Sequence, residues 1–195
     1  MKTLLNVGGG NKQIPIPPYF AGWRHDLLDL DPKGKPDIVA DARALEQLEL
    51  PPYDAVYCSH NLEHYHRHEG IKLVRGVWRL LRPEGFFEVR VPDVLAVMRH
   101  AVQKNLDMDD VLYQSPRGPI QVRDVLYGYH VEIEQMGNDL YAHKTGFSPA
   151  SLVRFVMGGG FPLHAVASRK FEILAYFFKQ QPGAELLQML GIAGA

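Results

Sequence analysis

The stretch LLNVGGGNKQIPIPP, running from Leu4 to Pro18, decides how this chain is read. A short apolar run closing on three glycines is the pattern of a strand followed by a turn that lets backbone approach a nucleotide-like ligand. The helix expected behind such a turn is blocked, because Pro15, Pro17 and Pro18 cannot supply the backbone donors a helix needs. A dinucleotide carries a pyrophosphate that wants the free N–H groups and dipole of a helix N-terminus. A ligand without phosphate has no such need. The prolines therefore count against a NAD-type site.

Working outward, further short apolar runs appear at TLLNV (3–7), DLLDL (26–30), DIVA (37–40), DAVYCS (54–59) and FFEVRV (86–91). Near-continuous hydrophobic runs of this length are expected of parallel strands covered on both faces. Between the fourth and fifth, IKLVRGVWRLL places Val74, Val77, Trp78 and Leu81 on one helical stripe, which Pro83 and Gly85 end. Asp93 is a good N-cap for a second helix carrying Val94, Val97, Met98 and Ala101. Ser148 caps a third with Pro149 in its first turn, and Gly158 to Gly160 end it. The runs LHAVAS and FEILAYFF near the end are only two residues apart. A crossover between parallel strands needs a dozen or more residues, so these two pair as an antiparallel hairpin.

Residues from about Asn105 to Thr145 lack sustained periodicity and are polar, aromatic and punctuated. A segment of this kind reads as a lid or binding insert in an otherwise single domain spanning 1–195. Tyr113, Tyr127, Tyr129 and Tyr141, with Arg117, Arg123 and His143 as donors, suit a sugar-like or aromatic acceptor. A homodimer contact through the same insert is the competing expectation.

The composition bounds the partners. The chain has 195 residues, 46% hydrophobic and 22% charged, with a formal net charge of −1. No basic excess is present to neutralise phosphates, so nucleic acid is not expected. The single cysteine, Cys58, suits a reducing compartment. The absence of a signal-like segment and of an apolar run near the ~20 residues of a membrane span points to a cytoplasmic protein and no membrane partner.

Parallel α/β sheets bind ligands at the carboxyl ends of their strands. After the first strand come Gly8, Gly9 and Gly10; after the second, Asp29 and Asp31; after the third, Asp41; after the fourth, Ser59, His60, Glu63 and His64; after the fifth, Asp93. The interval from Gly9 to Asp29 matches the ~20 residues between a glycine turn and a ribose-binding carboxylate.

These residues resemble a known family. LLNVGGG with LLDLDP, DIVADAR, YDAVYCSHNLEH and LLRPEGFFEVRVPD is similar to the class I S-adenosylmethionine-dependent methyltransferases, in particular the small type-11-like group with LEH after strand four. HKTGFSPASLVRFVMGGGF resembles that group's stretch before the final hairpin. The resemblance implies an α/β fold: a doubly wound, mostly parallel seven-stranded Rossmann-like sheet whose last strand is antiparallel. It implies S-adenosyl-L-methionine as cofactor, with Asn6 and the glycines at the methionyl part, Asp29 and neighbouring Asp31 at the ribose, Asp41 and Ala42 bordering the adenine, and Ser59 and His60 nearby. Asn6 stands where the family usually carries an acidic residue, and Gly8-Gly9-Gly10 where it usually has glycine-cysteine-glycine. S-adenosylmethionine has no phosphate, so the prolines leave methyl transfer standing.

The expected activity is methyl transfer to an oxygen or nitrogen of a small-molecule or glycan-like acceptor. His60, His64 and His143 are the candidate bases. A rival reading takes His60-x-x-Glu63-His64 as the H-x-x-E-H pattern of a zinc hydrolase. The motif leaves a parallel strand and has no identifiable third ligand, so no metal is expected. A catalytically silent nucleoside-binding domain is the third reading.

Overall fold

A computed structural model describes residues 1–192. Seven strands form one sheet in the order β3-β2-β1-β4-β5-β9-β8. They are β1 (Thr3–Val7), β2 (Arg24–Asp29), β3 (Ile38–Val39), β4 (Tyr53–Ser59), β5 (Leu81–Pro92), β8 (Leu163–Arg169) and β9 (Glu172–Phe178). β1 to β5 pair in parallel, and β9 pairs antiparallel with both β5 and β8. The hairpin is therefore present with its second strand placed inside the sheet: β9 alone runs against the others.

The strand bounds move where pairing, not composition, sets them. β2 starts at Arg24, two residues before the expected Asp26, because its register runs from Thr3↔Arg24 to Val7↔Leu28, and it ends at Asp29. β3 keeps two residues of the expected four. β5 reaches back to Leu81, which pairs with Tyr53 before an irregularity carries the ladder on to Ala55↔Phe86.

Helix α1 (Arg67–Leu80) and helix α5 (Pro149–Met157) cover one face of the sheet. Leu73, Val74 and Val77 of α1 and Leu152 and Val156 of α5 are fully buried with Leu5, Val56, Phe87 and Phe177 of the sheet. α5 begins as its sequence implies, with Ser148 accepting from the N–H of Ser151 and Pro149 in the first turn. The opposite face has no helix after β1. A single 3-10 turn, Pro18–Phe20, lies there instead, and Phe20 with helix α6 (Ala184–Leu190) packs on Leu4, Ala55, Phe86 and Tyr176. The Tyr19 hydroxyl donates to Glu88 Oε2 at 2.5 Å, anchoring the proline-rich loop to a fully buried carboxylate on β5.

The segment that lacks sustained periodicity carries short regular elements. After α2 (Val94–Lys104), whose Asp93 cap accepts from Ala96, come β6 (Val111–Ser115), β7 (Gly118–Gln121), α3 (Val122–Tyr127) and α4 (His130–Met136). β6 and β7 form a separate two-stranded sheet. Val97 of α2, Leu112, Val122 and Val125 make a third small core beneath it. Each element is too short for its apolar spacing to show a period. Among the described residues no helix is long and apolar enough to cross a membrane.

Candidate functional site

The carboxyl ends of β1, β2, β3 and β4 open into a cavity of ≈ 1040 Å³. Asn6, Gly8, Gly9, Gly10, Asp29, Asp31, Asp41, Ala42, Ser59 and His60 all line it, as do His64 and His143. Every sequence-derived cofactor and catalytic candidate therefore reaches one space. Asp93 does not, since its carboxylate caps α2.

The glycine turn is built for close approach. Gly8 and Gly10 sit at φ +71° and +70°, the left-handed region that side chains disfavour. A Cβ on Gly8 would meet Asn61 Nδ2 at 2.1 Å, and one on Gly9 would meet Asn6 Nδ2 at 2.3 Å. Asn6 is itself buried, and its Oδ1 has no hydrogen-bond partner. A buried acceptor beside the glycines is thus left for a ligand's donor, for which an ammonium is apt.

Asp29 organises the turn. Its Oδ2 accepts the N–H of Gly10 at 2.9 Å and its Oδ1 the N–H of Asp31 at 2.9 Å. Each carboxylate oxygen keeps a further lone pair, so Asp29 can fasten the loop and still receive hydroxyl hydrogens. Asp31 caps the next turn through the N–H of Lys33. Asp41 accepts the N–H of Arg43 and pairs with its guanidinium, Nη2 to Oδ2 at 2.6 Å, while Arg43 Nη1 reaches Glu69 at 2.7 Å. The bonds from Arg43 outweigh burial and hold the Asp41 carboxyl below its usual pKa. That carboxylate serves the bridge, and Ala42 lines the cavity beside it.

The histidines divide into two groups. His60 sits at φ +48°, with Nε2 2.9 Å from Glu172 Oε1 and Nδ1 3.6 Å from Glu63 Oε1. Burial disfavours its charged form, but Glu172 and Glu63 outweigh that and raise its pKa. His64 and His143 instead face each other, with ring centroids 5.1 Å apart. His64 Nδ1 lies 3.2 Å from the Ala142 carbonyl and His143 Nδ1 2.9 Å from the Val125 carbonyl. Burial pushes the His143 pKa down.

The His60/His64 pair of the hydrolase pattern is not assembled. Residues Leu62–His64 form one 3-10 turn after the left-handed His60, so the two rings do not share the face that an α-helix gives to i and i+4. His143 joins Glu63 and His64 instead: one ligand atom from each lies within 4.8 Å of the others. This third partner is 79 residues from His64 in sequence and is carried in by the insert.

Of the insert's aromatic candidates, Tyr129 and Tyr141 line the cavity, with Arg117. Tyr113 stacks on Phe171, Tyr127 points outward, and Arg123 pairs with Asp109. Asn61 was missed by sequence reasoning although it sits in the quoted stretch after strand four. Glu172, the partner of His60, carried no sequence signal because it enters from β9.

No family model and no curated protein sequence matches the chain. Solved structures do. The glycopeptide N-methyltransferase MtfA complexed with S-adenosyl-L-methionine is similar over 92% of this chain and 88% of its own, at TM-score 0.59 and 16% identity. The CcbJ methyltransferase from Streptomyces caelestis matches over 91% and 89%, at TM-score 0.54 and 14% identity. PigF with SAH matches over 91% of this chain, at TM-score 0.58 and 15% identity, and the chain spans 50% of that protein's length. The chain has the Rossmann-like methyltransferase fold.

Proposed function

We propose that this chain is an S-adenosylmethionine-dependent methyltransferase whose acceptor is a small or carbohydrate-like molecule methylated on oxygen or nitrogen. The observation that carries the reading is the glycine turn itself: a backbone cradle with an orphaned buried acceptor on Asn6, closed by Asp29, and no helix N-terminus behind it to receive a pyrophosphate. The residues fit the cofactor. Gly8, Gly10 and Asn6 would hold the methionyl end, Asp29 the ribose, and Ala42 beside Asp41 the adenine. When bound, S-adenosylmethionine supplies an electrophilic methyl group on a sulfonium. The protein's share of such a reaction is chiefly alignment of the acceptor atom, worth several kcal/mol. Tyr129, Tyr141 and Arg117 stand where an acceptor would lie, on the insert side of the cavity. MtfA, which acts as a glycopeptide N-methyltransferase, lends the carbohydrate-like acceptor class some support.

S-adenosylhomocysteine is expected to raise the melting temperature while NAD and NADP leave it unchanged, since a ligand that binds only the native state stabilises it by mass action. A shift with NAD alone would reject the reading. Calorimetric titration then tests the ribose. Asp29→Ala should weaken S-adenosylhomocysteine binding by about 1–3 kcal/mol, the scale of an abandoned buried hydrogen bond. Asp31→Ala should cost less, because its carboxylate serves a local cap. The reverse order would place the ribose elsewhere.

A further inference from the structure

We infer that Glu63, His64 and His143 form a binding site for one divalent transition-metal cation of the zinc class on the wall of the cavity. The three offer one ligand atom each within a mutual 4.8 Å, and all three line the cavity. With zinc–nitrogen bonds of about 2.0–2.1 Å in tetrahedral geometry, ligand atoms lie roughly 3.4 Å from one another. From a mutual 4.8 Å, the cation therefore has to draw ligand atoms together by up to roughly 1.4 Å through side-chain torsions.

Two independent features point to a cation. The first is Glu63. Its side chain is 2% exposed, and neither carboxylate oxygen has a hydrogen-bond partner. The nearest charged group, His60 Nδ1, stops at 3.6 Å. Buried carboxylates are otherwise paired, hydrogen-bonded or bound to metal. The second is the orientation of the two rings. A carbonyl can only accept, so His64 Nδ1 and His143 Nδ1 are the protonated nitrogens toward Ala142 and Val125. In the neutral tautomer that leaves each Nε2 with its lone pair. An imidazole that donates its second nitrogen to a backbone carbonyl is the usual outer-shell arrangement of a metal-bound histidine.

The two ligand-bearing segments are also locked together. The Glu63 carbonyl accepts the N–H groups of Lys144 and Thr145, at 2.8 and 3.1 Å. Two imidazoles and one carboxylate select zinc or a neighbouring transition ion over magnesium or calcium, which favour all-oxygen sets. Three protein ligands leave a coordination position open to the cavity, free for water or a ligand oxygen.

The test uses the full chain purified without a metal-affinity tag, stripped with chelator and titrated with zinc chloride by calorimetry. One equivalent is expected, with affinity falling at least on the order of a hundredfold in His64→Ala and in His143→Ala. His68→Ala, in the exposed histidine run, should leave binding intact. Glu63→Gln should weaken zinc binding without lowering the melting temperature of the stripped protein, which separates ligation from a structural role. Absence of stoichiometric binding overturns the inference, as does binding that survives His143→Ala and is lost in His68→Ala. S-adenosylhomocysteine binding measured on the same samples keeps the questions apart: its failure beside intact zinc binding would reject the methyltransferase proposal and leave the metal site standing.

Discussion

Phe87→Ala is expected to destabilise the protein by about 3–5 kcal/mol, the range for removing a buried phenylalanine. Phe87 is fully buried at the middle of β5, the strand that joins the parallel half of the sheet to β9. Its ring centroid lies 5.7 Å from that of Phe161 and 6.3 Å from that of Phe177. Truncation leaves a cavity bounded by elements that are themselves hydrogen-bonded in place, so collapse is limited. In a chain of this size each kcal/mol moves the melting temperature by roughly 2–4 °C, which predicts a fall of about 6–20 °C. Differential scanning calorimetry measures it. A fall of under about 3 °C would mean that this layer does not hold the sheet as described.

The second large effect concerns the insert. Replacing residues 108–140 with a short glycine linker is expected to leave S-adenosylhomocysteine binding close to normal and to lower methyl transfer at least on the order of a hundredfold, the scale of lost positioning. The cofactor candidates Asn6, Gly8, Gly10 and Asp29 all lie outside the deleted stretch, whereas Arg117, Tyr129, Glu132, Met136 and Leu140 on the other wall lie within it. The deletion also removes Val125, whose carbonyl orients His143, and uncovers Val97. Changing Val97 to Thr in the same variant limits the exposed apolar surface. If methyl transfer survives while a dimer in the parent protein dissociates, the insert is an interface between copies, and the acceptor must be sought near Ser59 and His60.

The elements legible beforehand are those whose burial demands leave a local signature. β1 and β4 must be apolar on both faces because loop or helix covers each, so Leu4, Leu5, Val7, Val56 and Cys58 form near-continuous runs. The final hairpin was legible from its two-residue link alone. The ends of β2 and β5 were not, because a partner strand's register sets them. The insert escaped because β7 and α3, of four and six residues, are shorter than any period could reveal.

The same division runs through the site. Local sequence records the strand exits, the glycine turn without a helix and the carboxylate about twenty residues on, because each depends on neighbours within a few positions. Packing alone sets β9 between β5 and β8, brings Glu172 to His60 so that the ring bridges Glu172 and Glu63, and brings His143 toward Glu63 and His64. Those contacts join residues about 80 to 110 positions apart in sequence, and no local pattern records them: their partners are chosen by how the insert and the hairpin pack once the sheet has formed.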